Sequence, residues 1–204
     1  MRADALGVRF LGRHMARLAA SARELEIPVN VPAARVAVTH AAAEAVGTAS
    51  AAPVKIRLQV EPGGRFAVSI GGMPSTPARG GNAVLASQRL DPRDPLLAHK
   101  TTRRALYDEA RESLASVPDG VDVLFLNRRD QLCEGAVSNV FVILDGRLTT
   151  PPVSCGLLPG VMRGHVIEAY GAVERPITLD DLRRAERVFL TNALRGVVPV
   201  SVLA

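Results

Sequence analysis

The stretch HKTTRRALYDEAR covers residues 99–111 and contains Lys100, one of two lysines in a chain of 204 residues. The other lysine is Lys55, and the remaining 23 basic residues are arginines. Arginine serves well as a positive charge, but it cannot lose a proton near neutral pH and attack a carbonyl group. A lysine in such a chain therefore indicates either amine chemistry, such as a Schiff base, or a surface residue without a function. Composition alone does not choose between these interpretations, nor between Lys100 and Lys55.

Three stretches downstream of Lys100 carry polar groups at positions that suit a binding site. CEGAVSNVFV (133–142) places Glu134 at the start of an otherwise apolar strand, where a carboxylate facing the interior needs a cationic or N–H partner. CGLLPGVMRGHV (155–166) turns directly into a helix, and the free N–H groups at a helix N-terminus bind anions such as phosphate. FLTNALRG (189–196) ends a buried strand with hydroxyl, amide and guanidinium groups.

Each of these stretches, taken singly, also fits a structural role: a buried ion pair, an ordinary helix start or a polar strand end. Together with the lysine they supply one amine, one acid and two candidate phosphate-binding positions. That is the set of groups that a pyridoxal phosphate site requires. The four histidines show no metal-ligand spacing, so no metal site is predicted.

The sequence resembles the class IV, or fold type IV, pyridoxal-phosphate enzymes, which include branched-chain and D-amino-acid aminotransferases and aminodeoxychorismate lyases. The resemblance spans nearly the whole chain in the family's order. It is carried by FLGRHMARLAASA (10–22), HKTTRRALYDEAR (99–111), EGAVSNVFV (134–142), GLLPGVMR (156–163) and FLTNALRGVVPV (189–200). HKTTRR followed by YDEA, together with CGLLPG, is most similar to the lyase domain of fused p-aminobenzoate synthases.

The resemblance implies a role for several residues. Lys100 matches the Schiff-base lysine, which also moves protons, and Glu134 matches the carboxylate that keeps the cofactor's pyridine nitrogen protonated. The other implied cofactor contacts are the phosphate arginine Arg17, the phosphate-binding N–H groups of Val161 and Met162, the phosphate-binding hydroxyl of Thr191, and the SN pair Ser138 and Asn139. Our own assignment, which the family motif does not make, is Arg195 as the partner of a substrate carboxylate.

The implied fold is a mixed α/β (α+β) enzyme of two domains, similar to D-amino-acid aminotransferase. We expect a small α/β domain over residues 1–80 and a larger domain over 81–204 that carries the Schiff-base lysine and most cofactor contacts. The linker GGMPSTPARGGN (71–82) divides them. Members of the family begin with an additional strand that contributes to the pocket, and Met1-Arg2 resemble only its tail, so this strand is expected to be missing.

Sequence patterns also predict individual elements. The helices expected are 11–27, 102–117, 160–170 and a short one capped by Thr178 and Asp181. The strands expected are a hairpin of 54–60 and 65–70, and then 83–88, 121–127, a strand over SNVFVILDGRL, 187–192 and 197–202.

Composition narrows the setting in which the protein works. The net charge of +5 suggests nucleic acid, but the arginines are interleaved with acids and aromatics make up only 3%, so nucleic-acid binding is not expected. No apolar run is long enough for a membrane span, and MRADALGVRF lacks the features of a signal peptide. Cys133 and Cys155 form no CxxC, which favours a reduced, cytoplasmic compartment. By resemblance, we expect a homodimer that acts on a small molecule.

The leading functional hypothesis is a lyase that converts 4-amino-4-deoxychorismate to p-aminobenzoate and pyruvate, a step of folate biosynthesis. Met162 leans the same way, because many aminotransferases have Thr at that position. Transamination of a branched-chain or D-amino acid is the alternative, since it uses the same cofactor residues. A non-catalytic remnant, or a dimerisation partner that binds the cofactor weakly, is the third hypothesis, motivated by the missing strand.

Overall fold

A computed structural model describes residues 1–48, 52–75, 77 and 80–203. The chain divides into two compact units, Met1–Ser75 and Thr76–Ala204. The boundary falls inside the predicted linker, five residues before the expected position at residue 80. Thr76, Ala78 and Arg79 of that linker lie outside the described residues.

The N-terminal unit is an antiparallel sheet with two helices. Its strands run in the order β2-β1-β3-β4. They are β1 (Arg2–Asp4), β2 (Gly7–Val8), β3 (Val54–Val60) and β4 (Phe66–Gly71). The hairpin predicted over 54–60 and 65–70 is confirmed, with Val60 opposite Phe66 next to the turn. The short strands β1 and β2 were not predicted, and β1 pairs with β3.

The helices of this unit are α1 (Leu11–Glu24) and α2 (Val31–Thr48). The predicted helix 11–27 ends at Glu24, because Glu26 adopts a left-handed conformation with φ 54° that stops the helix. The sequence pattern did not predict α2. Its buried side chains pack with Ala3 and Ile56 to form the core of the unit.

The C-terminal unit is built on a mixed sheet in which eight strands of the described chain run in the order β10-β9-β8-β11-β12-β5-β6-β7. Three neighbouring pairs, β10–β9, β12–β5 and β5–β6, are parallel. The strands are β5 (Gly81–Leu90), β6 (Gly120–Asn127), β7 (Leu132–Gly135), β8 (Asn139–Leu144), β9 (Arg147–Thr150), β10 (Val173–Glu174), β11 (Arg187–Asn192) and β12 (Gly196–Leu203).

The predicted strands of this unit are present, with corrected limits. The strand expected over 83–88 is longer, because β5 pairs along both β12 and β6. The strand with Glu134 at its start was wrong: Glu134 belongs to β7, and a bend over 136–138 separates it from β8. After β8 the chain reverses at Asp145-Gly146, whose φ angles of 51° and 71° fit an Asp-Gly hairpin turn.

The helices of the C-terminal unit are α3 (Ala105–Glu112), α4 (Val161–Tyr170) and α5 (Leu179–Arg184). The helix predicted over 102–117 is shorter than expected, since it starts at Ala105 and passes into a 3-10 turn at Ser113–Ser116. The cap of α5 is confirmed, because the side chains of Thr178 and Asp181 each bond to the other's backbone N–H. No helix in the described part of the chain is long and apolar enough to cross a membrane.

Candidate active site

Glu134 is the centre of a buried hydrogen-bond cluster on β7. Glu134 is only 6% exposed to solvent. The Tyr107 hydroxyl donates to Oε1 over 2.9 Å, and the Leu158 N–H donates to Oε2 over 3.0 Å. The Asn139 amide lies 3.4 Å from Oε2 as a weaker donor. We call these four residues the Glu134 cluster.

The protonation of Glu134 reflects competition between burial and its neighbours. Burial raises the pKa of Glu134 to about 8, although the Leu158 and Tyr107 hydrogen bonds and the positive charges of Lys100 and Arg104 oppose this rise. Lys100 therefore lies near enough to Glu134 to act on it electrostatically. The lysine is exposed, in the segment that precedes α3. The structure thus brings the predicted amine and the predicted acid into one region.

Asn139 connects the Glu134 cluster to the start of α4. Besides its contact with Glu134, the Asn139 amide donates to the Leu158 carbonyl over 2.8 Å. Two residues later, Gly160 precedes the helix, and a Cβ at that position would lie 2.0 Å from Asn139 Oδ1. A side chain at position 160 would therefore force the Asn139 amide to move away from this turn. No side chain among the described residues caps α4, so its first N–H groups remain available to an anion.

Val161 and Met162 form the first turn of this helix, and both side chains are buried. Their backbone N–H groups belong to the uncapped helix start, next to the turn whose Leu158 N–H donates to Glu134, and their contact with a phosphate stays a prediction. The Arg163 side chain points elsewhere, since it donates to the Pro151 carbonyl and to Glu174.

Thr191 lies on β11 opposite Asn139 of β8. Directly paired residues of neighbouring strands project to the same face of a sheet, so both side chains share one face. Helix α4 packs against β11. The Thr191 hydroxyl is buried and finds no hydrogen-bond partner among the described residues. A buried unpartnered hydroxyl is costly, so this atom is a candidate contact for a ligand.

Two of the predicted site residues belong to a different cluster. Ser138 hydrogen-bonds the Asp122 carboxylate and accepts from the Asn192 amide over 3.3 Å. Arg195 donates to the Val121 carbonyl over 3.4 Å, and the charge of Asp122 acts on its guanidinium. The structure therefore places Ser138 and Arg195 beside Asp122, and their contacts with a cofactor or substrate stay predictions.

Arg17 lies on α1 in the N-terminal unit. Burial lowers the pKa of its guanidinium. Its match to the phosphate-binding arginine stays a prediction, as does the assignment of most cofactor contacts to the C-terminal unit.

Sequence reasoning missed Tyr107, Arg104 and the Leu158 N–H, all of which act on Glu134. Tyr107 lies 27 residues from Glu134 in the sequence, and YDEA entered only as part of a resemblance. The sequence does contain a signal for Asp122. It is a charged residue inside the apolar strand VDVLFLN, and such a residue needs partners.

A match to the family described as "Amino-transferase class IV" covers residues 1–203. The chain belongs to this family, and its matched relatives include aminotransferases and lyases. The expected fold is confirmed by the "Putative amino-acid aminotransferase" of Mesorhizobium loti. That structure is 34% identical, covers 100% of this chain and 97% of its own, and gives a TM-score of 0.86.

Curated relatives match over shorter segments. A "Probable branched-chain-amino-acid aminotransferase" of Thermotoga maritima is 38% identical over 41% of this chain and 33% of its own length. An "Aminodeoxychorismate lyase" of Vibrio harveyi is 33% identical over 52% of this chain and 41% of its own length. The chain thus matches less than half of each of these two relatives.

The cofactor of this family is pyridoxal phosphate. The residues of the C-terminal unit fit it: a buried carboxylate suits a protonated ring nitrogen, and the α4 N-terminus and the unpartnered Thr191 hydroxyl suit a phosphate. Among the described residues, no group of three or more His, Cys, Asp or Glu side chains is arranged to hold a metal ion.

Proposed function

We propose that this protein is a pyridoxal-phosphate-dependent lyase that converts 4-amino-4-deoxychorismate to p-aminobenzoate and pyruvate, within folate biosynthesis. The proposal is carried by one observation: a buried carboxylate, Glu134, holds three hydrogen-bond donors and senses the charge of an accessible lysine, Lys100. An amine in the same region as a buried carboxylate that can pair with a protonated ring nitrogen matches the needs of carbanion chemistry on this cofactor.

Lys100 is the proposed covalent anchor of the cofactor aldehyde and the general base. The neutral Lys100 amine would remove the proton from the substrate carbon that bears the amino group. When bound, the cofactor supplies an electron sink for the charge left on that carbon. The bond between the ring carbon and the enolpyruvyl oxygen would then break, and return of the proton from Lys100 to the methylene carbon of that group would give pyruvate and an aromatic product.

The remaining residues orient the cofactor. The Glu134 carboxylate accepts the ring N–H, and the donors on Oε2 hold this carboxylate in position. The first N–H groups of α4, at Val161 and Met162, and the Thr191 hydroxyl bind the phosphate. Arg17 is proposed as a further phosphate ligand, and Arg195 as a contact for a substrate carboxylate.

The choice of a lyase is supported by the similarity of HKTTRR, YDEA and CGLLPG to lyase sequences, by Met162 and by the match to the Vibrio harveyi enzyme. Transamination of a small amino acid is the second candidate. It is favoured by the Mesorhizobium loti structure, whose length this chain nearly matches, and by the Thermotoga maritima relative.

A substrate comparison tests the two candidates. The cofactor-loaded protein is incubated with aminodeoxychorismate alone, and separately with a panel of branched-chain and D-amino acids plus 2-oxoglutarate. The lyase releases p-aminobenzoate in the first incubation and forms no glutamate in the second. Glutamate formation without p-aminobenzoate would overturn the lyase in favour of the aminotransferase.

Replacement of Lys100 tests the chemistry common to both candidates. Lys100→Ala should lower turnover at least about 10³-fold, because it removes both the covalent anchor and the base. Lys55→Ala is the matched control, since Lys55 is the only other lysine of the chain and lies on β3. Borohydride reduction and peptide mapping should find the cofactor on Lys100 in wild type and in the control. A wild-type protein that takes up no cofactor would instead support the non-catalytic remnant.

We also propose a cytoplasmic homodimer, by resemblance to other family members. Sedimentation of the cofactor-loaded protein measures its assembly, and a monomer at working concentrations would contradict the dimer.

A further inference from the structure

Tyr107 has three neighbours: Phe125 and Arg104 contact its ring, and Glu134 accepts a hydrogen bond from its hydroxyl. The ring meets Phe125 edge to face, with centroids 5.0 Å apart, and the guanidinium of Arg104 lies 4.9 Å from its centroid. The hydroxyl donates to Glu134 Oε1. Burial and the charge of Glu134 raise the pKa of Tyr107 far above its ordinary range, so this hydroxyl keeps its proton and acts as a donor.

Arg104 is held in place independently of the tyrosine. Its guanidinium donates to the Ala136 carbonyl and lies 3.7 Å from the Asp108 carboxylate. A cation beside an aromatic ring polarises it, and here the same charge also favours the ionised form of Glu134. Arg104 and Tyr107 therefore act on the carboxylate in the same direction.

We propose that Tyr107 and Arg104 are positioning residues that counteract the effect of burial on Glu134 and make its carboxylate less basic, so that the shared proton stays on the cofactor's ring nitrogen. This inference rests on the role of Glu134 proposed above. A carboxylate that accepts a strong hydrogen bond binds a proton less tightly. The Leu158 N–H and the Asn139 amide act in the same way on Oε2, but they also shape the turn into α4. Tyr107 is therefore the donor that can be removed with least effect on the phosphate end.

Removal of the hydroxyl has a defined consequence. Hydrogen bonds to charged groups are strong enough that Tyr107→Phe should raise the pKa of Glu134 by about one unit. Lys100, Arg104 and the buried Cys133 thiol are the other ionisable groups that interact with this carboxylate, and the substitution leaves all three in place. The proton then shifts from the ring nitrogen toward Glu134, and the ring loses part of its positive charge.

The test is the ¹⁵N chemical shift of the ring nitrogen, measured on protein loaded with ring-labelled pyridoxal phosphate. In Tyr107→Phe we expect the resonance to move from the protonated toward the neutral position, and to do so at lower pH than in wild type. Tyr170→Phe is the matched control, because Tyr170 is the other tyrosine of the chain and is 70% exposed. Arg104→Gln should cause a smaller shift in the same direction, with the exposed Arg103→Gln as its control.

Glu134→Gln separates the positioning role of Tyr107 from the cofactor contact proposed for Glu134. If Glu134→Gln moves the ring-nitrogen resonance while Tyr107→Phe matches wild type over the whole pH range, the positioning role is wrong and Glu134 keeps its own. If Glu134→Gln leaves the resonance unchanged, the proposed cofactor contact itself fails. Circular dichroism and thermal unfolding confirm that each variant is folded before its shift is interpreted.

Discussion

Two buried carboxylates on adjacent strands of one sheet have different surroundings. Asp122 lies on β6 and Glu134 on β7, which pair with each other. The residues are 0% and 6% exposed, and burial raises the pKa of both carboxyl groups. By burial and by the direction of the pKa shift the two groups are alike, so neither property identifies the one that serves the chemistry.

The donors around each group show the difference. Asp122 is bonded by the N–H groups of Val123 and Val137, by the Ser138 hydroxyl and by the Arg111 guanidinium at 3.4 Å. A carboxylate has about four acceptor positions, so these donors, one of them a cation, fill Asp122. The three neutral donors of the Glu134 cluster fill three positions and leave one on Oε1 for a cationic donor. The donor set therefore separates an acid whose acceptor positions are all occupied from the acid that we propose as the cofactor's partner.

The largest stability effect should come from Asp122, the carboxylate whose acceptor positions are all occupied. Asp122→Ala leaves the donors of Ser138, Val137 and Arg111 without the fully buried carboxylate that accepts them, and breaking a buried pair costs about 3 kcal/mol. Urea unfolding of the cofactor-free protein measures the loss. Asp180→Ala is the control, because Asp180 pairs with Arg183 on the surface, where the loss should stay under about 1 kcal/mol. Equal stability of the two variants would contradict the structural role of Asp122.

A pH series tests Glu134, the carboxylate that has one acceptor position left. The pKa of Glu134 rises from an ordinary value of 4.5 to about 8 on folding, so the folded state binds this proton more tightly. The stabilisation that this more tightly bound proton gives the folded state is complete below pH 4.5. It is lost as the pH rises to 8, at up to about 1.4 kcal/mol per pH unit. Unfolding free energies of the cofactor-free wild type, minus those of Glu134→Gln, should show this decline. A difference that stays constant from pH 5 to 8 would contradict the raised pKa.

The smallest effect concerns an unpartnered hydroxyl on the face that Asn139 shares. Thr191→Val removes a buried group without a bond, so the cofactor-free protein should be as stable as wild type or more so. The affinity for pyridoxal phosphate should fall about tenfold, since a hydrogen bond to a charged group is lost.

Thr150→Val supplies the opposite pattern, because the Thr150 hydroxyl donates to the Val140 carbonyl over 2.7 Å. It should lower stability by about 1 kcal/mol and leave cofactor affinity unchanged. Equilibrium titration and urea unfolding of both variants measure the two quantities. A stability loss in Thr191→Val equal to that in Thr150→Val would indicate that its hydroxyl is bonded within the protein.

Much of the fold could be predicted because buried strands read as apolar runs, as in VDVLFLN and RVFLTN. Helix α2 could not, although its buried residues Ala34, Val38 and Ala42 are spaced by four. Alanine and valine occupy its other faces too, so no apolar stripe stands out in the sequence.

The site could be predicted only where a residue's role is local. Glu134 and the α4 start follow from a polar residue in an apolar segment and from a Pro-Gly turn. Tyr107 and Arg104 reach Glu134 only through the packing of α3 on the sheet, which no local pattern specifies. Neighbours in sequence can also separate, as Ser138 and Asn139 bond to different carboxylates.

The place of β12 within its sheet has a consequence for synthesis on the ribosome. β12 is translated after the other seven strands, yet it lies between β11 and β5, with Val200 opposite Gly81. Until β12 has been synthesised, β11 and β5 each lack this pairing partner. Such distant pairing slows folding and exposes the intermediate to aggregation. We expect chaperones that shield unpaired strand edges to raise the folding yield of this protein.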